Sequence, residues 1–551
     1  MGKYIYERKQ KSRAGGRNAK RKPRGSRVQL LETSLEQPRG ASTRKACTVP
    51  VKTPANPLPS LALPLFSPIP PLTMAAIDEA SGRRAASCFF EVGQREIGLS
   101  SSRASSCRIS GSEGLIVRMS QYGKLRGHSG CVNTISFNPA GDLLVSGSDD
   151  TDIILWDWLA KTEKLTYPSG HQQNLFHARV MPFTDDSTIV TVGADGQVRV
   201  GQLKQGGEFI TKQIGEHHDR AYKMALEPGS PHILYSCGED GLVQHFDLRS
   251  DSPTKLLTCY SFSNRRRRVR LNTIAIDPQN PNYFSIGGSE EYVRLYDFRK
   301  INLESSSNMN LPVDTFCPKH LLMGGKVRIT GIAYSYSSEL LVSYNDELIY
   351  LFENYMGLGP NPESTQPEHL DKLEQLQSYS GHRNFRTVKG VSFFGPNNEY
   401  VLSGSDCGHV FIWRKKGGEL MRIMRGDKHI VNCIEPHPHF PFLATSGIDN
   451  TIKIWTPSSS KVMQLPQYAN KVIASNWRER QFYASRGEVT LSADVMMRIL
   501  RLQSTQSELY ANHEPSAADF ATGGDETFFI GLGDGDGNQR SNSDPRECIV
   551  T

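Results

Sequence analysis

Two recurring sets of residues in this sequence are of types that could do chemistry. The first joins histidine and aspartate: His128, His171, His217, His382 and His429 recur along the chain, and Asp150, Asp195, Asp240, Asp346 and Asp449 stand at recurring turn positions. An imidazole beside a carboxylate can serve as a general base or help to hold a metal. The second set is Asp-x-Arg, found as Asp247/Arg249 and again as Asp297/Arg299. A carboxylate two residues before an arginine can fix its planar fork, and a fixed guanidinium reads carboxylates and carbonyls bidentately. Other groupings are weaker. His437-Pro438-His439 has no third ligand near it in sequence and reads as a turn. The run from Gly533 to Gly537 has the composition of a calcium loop but lacks its terminal glutamate. No Ser/His/Asp set, glycine-rich phosphate loop or carboxylate pair stands out, so no catalytic residue, metal or cofactor is expected.

The elements around these residues explain the histidines better than catalysis does. Each histidine is followed by a short apolar strand, a small-residue strand, a turn that usually holds the aspartate, and an apolar strand that usually ends in an aromatic. The clearest copy runs from His128 through Leu143–Asp150 to Ile153–Trp156, and the last copy from His429 through Ala444–Asp449 to Ile452–Trp455. Successive histidines are 43 and 46 residues apart at the front and 47 at the back, close to the WD-repeat period of about 40–45 residues. Two degenerate copies, Leu271–Asp297 and Ile329–Phe352, bring the number of units to seven. The expected fold is therefore all-β, a seven-bladed WD-repeat β-propeller over residues 116–466, with Gln121–Arg126 supplying the outer strand of the last blade. In such repeats a histidine, a strand hydroxyl, the turn aspartate and a tryptophan form one buried hydrogen-bonded set. His128, Asp150 and Trp156, His217 and Asp240, His382 and Trp413, and His429, Asp449 and Trp455 are assigned to these sets. The unit ending at Trp413 has Cys407 at the turn position and the unit ending at Tyr296 has Glu290, so those two are expected to rest more on apolar packing.

Charge divides the chain. Residues 1–50 hold 14 Lys or Arg and 3 Glu, a net of +11 that leaves −4 for the rest of a chain of +7. A mildly acidic body argues against direct nucleic-acid binding. Residues 1–115 are rich in Arg, Ser, Pro and Gly and are expected to be a disordered basic tail. Within them Lys20, Arg21, Lys22 and Arg24 form a candidate nuclear-import run, which implies a protein of nucleus and cytoplasm. Arg265–Arg268 is a second basic run, read as a solvated loop first and an acidic-partner site second. Residues 467–551 form an extension with one helix near 490–503, where Leu491, Val495, Ile499 and Leu502 share a face. The proline-broken stretch Leu58–Leu72 cannot be a helix, and no apolar run is long enough to span a membrane. The 10 cysteines show no CxxC pair, which favours reduced thiols.

Leu234–Arg249 and Phe284–Arg299 resemble the sixteen-residue box of WD-repeat receptors for cullin-4 ubiquitin ligases. Each has an apolar start, small residues, an acid at the seventh place and a closing aromatic-Asp-x-Arg, with Phe246 and Tyr296 in place of tryptophan. Within that family the chain resembles the cullin-4-associated factor 8-like branch. The runs that carry this include Tyr167–His171, Met181–Asp186, Ser236–Gly241, Ser343–Glu347, Thr387–Val391 and Ser403–Gly408, where Cys407 belongs to the branch pattern. The resemblance covers about residues 89–510, with Met74 a second candidate start shortly before it. A sister branch carries helical tetratricopeptide repeats, but no 34-residue helical period is present here. The resemblance implies a substrate-recognition subunit that is not itself an enzyme. Its adaptor subunit, a damaged-DNA-binding protein, would be held through Asp247, Arg249, Asp297 and Arg299, and a protein substrate would be presented for ubiquitination. The alternatives are a WD-repeat scaffold of a nuclear chromatin or RNA-processing complex, which would be indifferent to the two arginines, and an enzyme hidden in an unusual propeller.

Overall fold

Short runs of alternating apolar and small residues, each closed by a Gly, Asp or Asn turn, can satisfy their backbone only by pairing with neighbours. The computed structural model, which describes residues 88–204, 206–301, 310–322, 327–362 and 371–485, pairs them into seven four-stranded antiparallel sheets. Taken as blades, these are residues 132–168, 175–216, 221–258, 271–316, 329–379 and 391–425, with the seventh formed by 431–456 and Ser120–Arg126. The seventh blade closes the ring. Its outer strand comes from before the first blade, with Gln121 opposite Trp455 and Leu125 opposite Ile452, so the two ends of the propeller are held together by one sheet. The seven-bladed architecture and the closing strand are those expected from the repeat.

The blades are joined edge to face by apolar clusters. Leu175 and Ala178 of blade 2 pack with Val145 and Ile153 of blade 1, and Phe284 of blade 4 packs with Tyr235 and Val243 of blade 3. In six blades the first strand carries a register shift between its first and third residues, as between Val132 and Thr134. Such a bulge re-aims one side chain. In blade 1 that residue is Asn133, whose Nδ2 donates to the Leu175 carbonyl of the next blade at 3.0 Å. Asn272 of blade 4 donates in the same way to Ile329 at 3.1 Å. Polar inner strands thus link neighbouring blades around the channel.

Antiparallel order fixes two faces. The first-to-second and third-to-fourth strand connections lie on one face, and the second-to-third and blade-to-blade connections on the other. The segment before residue 116 is not wholly without structure: helices α1 (Cys88–Glu96), α2 (Ser102–Ser110) and α3 (Glu113–Ile116) precede the propeller. Arg108 of α2 donates from Nε to Glu91 of α1 at 2.7 Å. Ile116 and Met119 are fully buried in the cluster between blades 6 and 7, and Tyr400 Oη donates to the Gly111 carbonyl at 3.1 Å. After the last blade, helix α4 (Ala469–Ser485) lies on the face opposite α1–α3. Ala469, Val472 and Ile473 pack on blade 6, and Asn476 Nδ2 donates to the Gly381 carbonyl at 2.8 Å. The helix expected near 490–503 and the basic run Lys20–Arg24 lie outside the described residues. Cys107, Cys237, Cys259, Cys317, Cys407 and Cys433 are free thiols. No described helix is long and apolar enough to cross a membrane.

Candidate adaptor interface and the buried repeat networks

The histidines come first, because their surroundings decide whether they are free for chemistry. In blade 1, His128 Nδ1 meets Asp150 at 3.0 Å and Nε2 meets Ser146 Oγ at 2.7 Å. Trp156 Nε1 donates to the same hydroxyl at 2.8 Å. With the tryptophan donating, the serine proton is left for Nε2 and the Nδ1 proton for Asp150, so the chain of bonds assigns one tautomer. Burial alone would push the Asp150 carboxyl up, but the His128 bond and two backbone N–H donors outweigh it and hold the carboxyl at about 2. Blade 2 repeats the set with His171 Nδ1 on Asp195 at 2.9 Å and Nε2 on Thr191 Oγ1 at 2.9 Å. Its aromatic place is held by Gly201. A Cβ there would come within 3.0 Å of the Tyr167 hydroxyl, whose ring, stacked on Phe209 at 4.2 Å, fills the space. Blade 3 has His217 on Asp240 at 3.0 Å and on Ser236 Oγ at 2.7 Å. An imidazole spent on both nitrogens in a buried pocket is a structural part, not an accessible base.

Two assigned sets do not form. His382 of the sixth repeat is buried, but neither ring nitrogen has a hydrogen-bond partner. Burial pulls its imidazole down to about 3, so it stays neutral. The reason is Cys407 at the turn, which offers no carboxylate. The acid lies one residue earlier, and Asp406 accepts from the Arg386 backbone N–H at 3.1 Å and pairs with fully buried Lys389. Trp413 Nε1 accordingly donates to the Ser380 carbonyl at 2.9 Å. In the seventh repeat His429 is exposed. The buried charge pair is Lys453 with Asp427, and Asp449 takes part at 3.4 Å from Lys453 Nζ; Trp455 Nε1 still donates to Thr445 Oγ1 at 2.9 Å. Blade 4 likewise uses an ion pair, Arg294 with Glu290 at 2.6 Å. The expectation that the units with Cys407 and Glu290 rely more on apolar packing therefore needs correction: each holds a buried cation on a carboxylate, Lys389 on Asp406 and Arg294 on Glu290, with His382 left unbonded beside the first. Asp346 has no imidazole partner, and burial together with Asp406 pushes its carboxyl up to about 6.

The two Asp-x-Arg motifs are geometrically alike. Each begins at the last residue of a third strand, Asp247 opposite Ile233 and Asp297 opposite Tyr283. Arg249 donates from Nε to Asp247 Oδ1 at 2.9 Å and from Nη2 to Oδ2 at 2.7 Å. Arg299 repeats this on Asp297 at 2.9 and 2.8 Å. In both, the arginine backbone N–H also donates to Oδ1 at 3.0 Å, so one carboxylate fixes both the turn and the fork. The hydrogen bonds from the arginines hold both carboxyls well below the ordinary range. The middle residues are anchors. Leu248 packs on the cluster of blades 2 and 3, while Phe298 stacks on Tyr235 of blade 3 at 4.4 Å and on Phe284 at 4.3 Å. With the carboxylates largely covered, at 26% and 1% exposure, the guanidinium side chains remain 64% and 60% exposed. Two pre-oriented forks thus stand on adjacent blades, on the face that also carries α1–α3.

The remaining histidine pair is committed to backbone. His437 Nε2 meets the Gly141 carbonyl at 2.9 Å, and its Nδ1 accepts from the His439 and Phe440 N–H groups. His439 Nε2 meets the Pro139 carbonyl at 3.0 Å. Among the described residues no group of His, Cys, Asp and Glu is arranged to hold a metal ion.

Residues 119–157, 373–414 and 418–456 match the WD domain, G-beta repeat family model. The chain is 23% identical over 578 residues to the human WD and tetratricopeptide repeats protein 1, an alignment covering 62% of this chain and 85% of that one. It is 33% identical over 280 residues to the mouse DDB1- and CUL4-associated factor 6, covering 49% of this chain and 32% of that one. It is 30% identical over 277 residues to Protein ALTERED SEED GERMINATION 2 of Arabidopsis thaliana, covering 44% and 37%. The chain is thus a seven-bladed β-propeller built on WD repeats and similar in sequence to a DDB1- and CUL4-associated factor.

Proposed function

We propose that this chain is a substrate-recognition subunit of a cullin-4 RING ubiquitin ligase, in the cullin-4-associated factor 8-like branch. Its adaptor is held by Arg249 and Arg299, each positioned by its aspartate, Asp247 and Asp297. The observation that carries the reading is the duplicated fork: two exposed guanidiniums with the same carboxylate geometry on neighbouring blades. A solvated loop cation has no need of a bidentate aspartate or of a stacked neighbour such as Phe298. Pre-paying the side-chain entropy of a fork favours bidentate capture of carboxylates or carbonyls on a partner. Similarity to the DDB1- and CUL4-associated factor supports the identity of that partner. The opposite face then presents a protein substrate, and the ligase brings a ubiquitin-loaded conjugating enzyme beside it. The chain's contribution is proximity rather than bond chemistry.

The test is affinity purification from cells of the wild-type chain and of an Arg249→Ala, Arg299→Ala double variant. Loss of the adaptor with an unchanged thermal transition is expected. Undiminished recovery of the adaptor with the double variant would overturn the reading in favour of a general scaffold.

A further inference from the structure

The face opposite the two forks carries a second arginine group. Arg265, Arg266, Arg267, Arg268 and Arg270 lie in the connection from blade 3 to blade 4, and all five are exposed. None is in an ion pair among the described residues. Five like charges in six positions repel one another, and the rest of the chain has acids enough to neutralise them. They are nevertheless held in a built loop. Ser261 N donates to the Arg267 carbonyl at 2.9 Å, Arg267 N donates to the Asn264 carbonyl at 2.9 Å, and Asn264 Oδ1 accepts from Arg266 N at 3.0 Å. Val269 N donates to the Cys259 carbonyl at 2.9 Å, and Tyr260 bridges to Arg268. Phe262 pins the base, with the buried Arg294 guanidinium 4.2 Å from its ring centre and Tyr292 edge-on at 5.4 Å.

Three arginines share one cavity. Arg267, Arg270 and Arg328, the last from the connection between blades 4 and 5, line one open cavity of about 410 Å³ with Ser289, Glu290 and Glu291. The cations outnumber the acids. Glu290 is bound by Arg294 at 2.6 Å, which leaves Glu291 facing three arginines along the cavity wall.

We infer that the Arg265–Arg270 loop, with Arg328, is a docking site for a phosphorylated, acidic segment of a partner protein. A phosphate group offers about two charges and three strong acceptor oxygens at one point, which three forks can share, whereas one carboxylate satisfies one fork. Arg265, Arg266 and Arg268 flank the cavity and favour acidic residues on either side of the phosphate. A nucleic-acid strand would instead require a cationic track over several backbone phosphates; here the arginines are gathered in two neighbouring connections, Arg265–Arg270 and the one that holds Arg328. That the bound segment is a ubiquitination substrate rests on the receptor reading above; the binding itself does not.

The experiment uses the purified full chain and two degenerate peptide libraries with a fixed central phosphoserine or a fixed serine, together with a 20-nucleotide single-stranded RNA. The phosphoserine library should be retained at least about tenfold better than the serine library, with acidic residues enriched beside the phosphate. Arg267→Glu with Arg270→Glu should remove that preference. Arg267→Lys with Arg270→Lys should weaken it several-fold, because the charge remains but the fork does not. Arg249→Ala with Arg299→Ala should leave it unchanged, so failure here and failure of the adaptor reading are separable. Equal retention of both libraries, indifference to the loop variants, or tighter binding of the RNA would each overturn the inference.

Discussion

His217 and His429 occupy the same place in the repeat, yet the structure gives them opposite fates, and their substitution by alanine should separate them sharply. His217 is buried and bonded at both nitrogens, to Asp240 at 3.0 Å and Ser236 at 2.7 Å. Removing it strips a covered aspartate of a partner worth about 1.5–3 kcal/mol and a serine of one worth about 1 kcal/mol. The void left by the ring adds to this, so His217→Ala should cost about 4 kcal/mol. In a domain of this size that lowers the melting temperature by roughly 8 °C. His429 is exposed, and the charge pair in its blade is Lys453 with Asp427; His429→Ala should cost no more than about 0.5 kcal/mol. Scanning calorimetry and urea titration of the two variants beside wild type provide the assay. Equal destabilisation by the two substitutions, or a larger effect at His429, would refute the distinction between imidazole-centred and cation-centred blades.

Other consequences concern charge. Asp150, Asp195 and Asp240 all have carboxyls held below their ordinary range by histidine. The stability they contribute is complete above about pH 4 and is lost as pH falls through the folded values, near 2 for Asp150; urea midpoints should therefore fall between about pH 4 and 2, and less so in Asp150→Asn. Lys453→Met leaves Asp427 buried without its partner and should cost about 3–5 kcal/mol, whereas Lys453→Met with Asp427→Leu should recover most of that in the same titration. Alanine at Lys20, Arg21, Lys22 and Arg24 should shift a fluorescent fusion of the chain from nucleus to cytoplasm, and an unchanged distribution would remove that run as an import signal.

What was legible in the sequence was what is local or periodic. The recurrence of His128, His171, His217, His382 and His429, with the degenerate copies Leu271–Asp297 and Ile329–Phe352, counts the blades, and the shared pattern of Leu234–Arg249 and Phe284–Arg299 marks two equivalent turns. Asp-x-Arg spans three residues, so its fork geometry follows from short-range contacts alone. The ion pairs were not legible. Lys389 with Asp406 joins a connection to a turn and Lys453 with Asp427 joins a strand to a connection, each across some 17 to 26 residues of sequence, and a lysine beside apolar residues gives no sign that it is buried. Helix α4 carried a signal in Ala469, Val472, Ile473 and Asn476, a stripe at helical spacing, but its contact with blade 6 ends on an asparagine that bonds backbone rather than on an apolar residue. Helices α1–α3 lie in a serine-rich stretch whose order comes from Ile116 and Met119 packing between blades 6 and 7, a long-range contact that composition does not register.

The two forks are the proposed adaptor contact, and the equilibrium affinity of the purified full chain for the purified adaptor measures them directly. Arg249→Ala and Arg299→Ala should each weaken binding by about 30-fold, as truncation of an interface anchor does. Together they should weaken it by about 1,000-fold if the two sites act independently, with Arg265→Ala in the opposite face as an unaffected control. Wild-type affinity in the double variant, or an equal loss on substituting Arg265, would contradict the claim that this face of the propeller is the adaptor's.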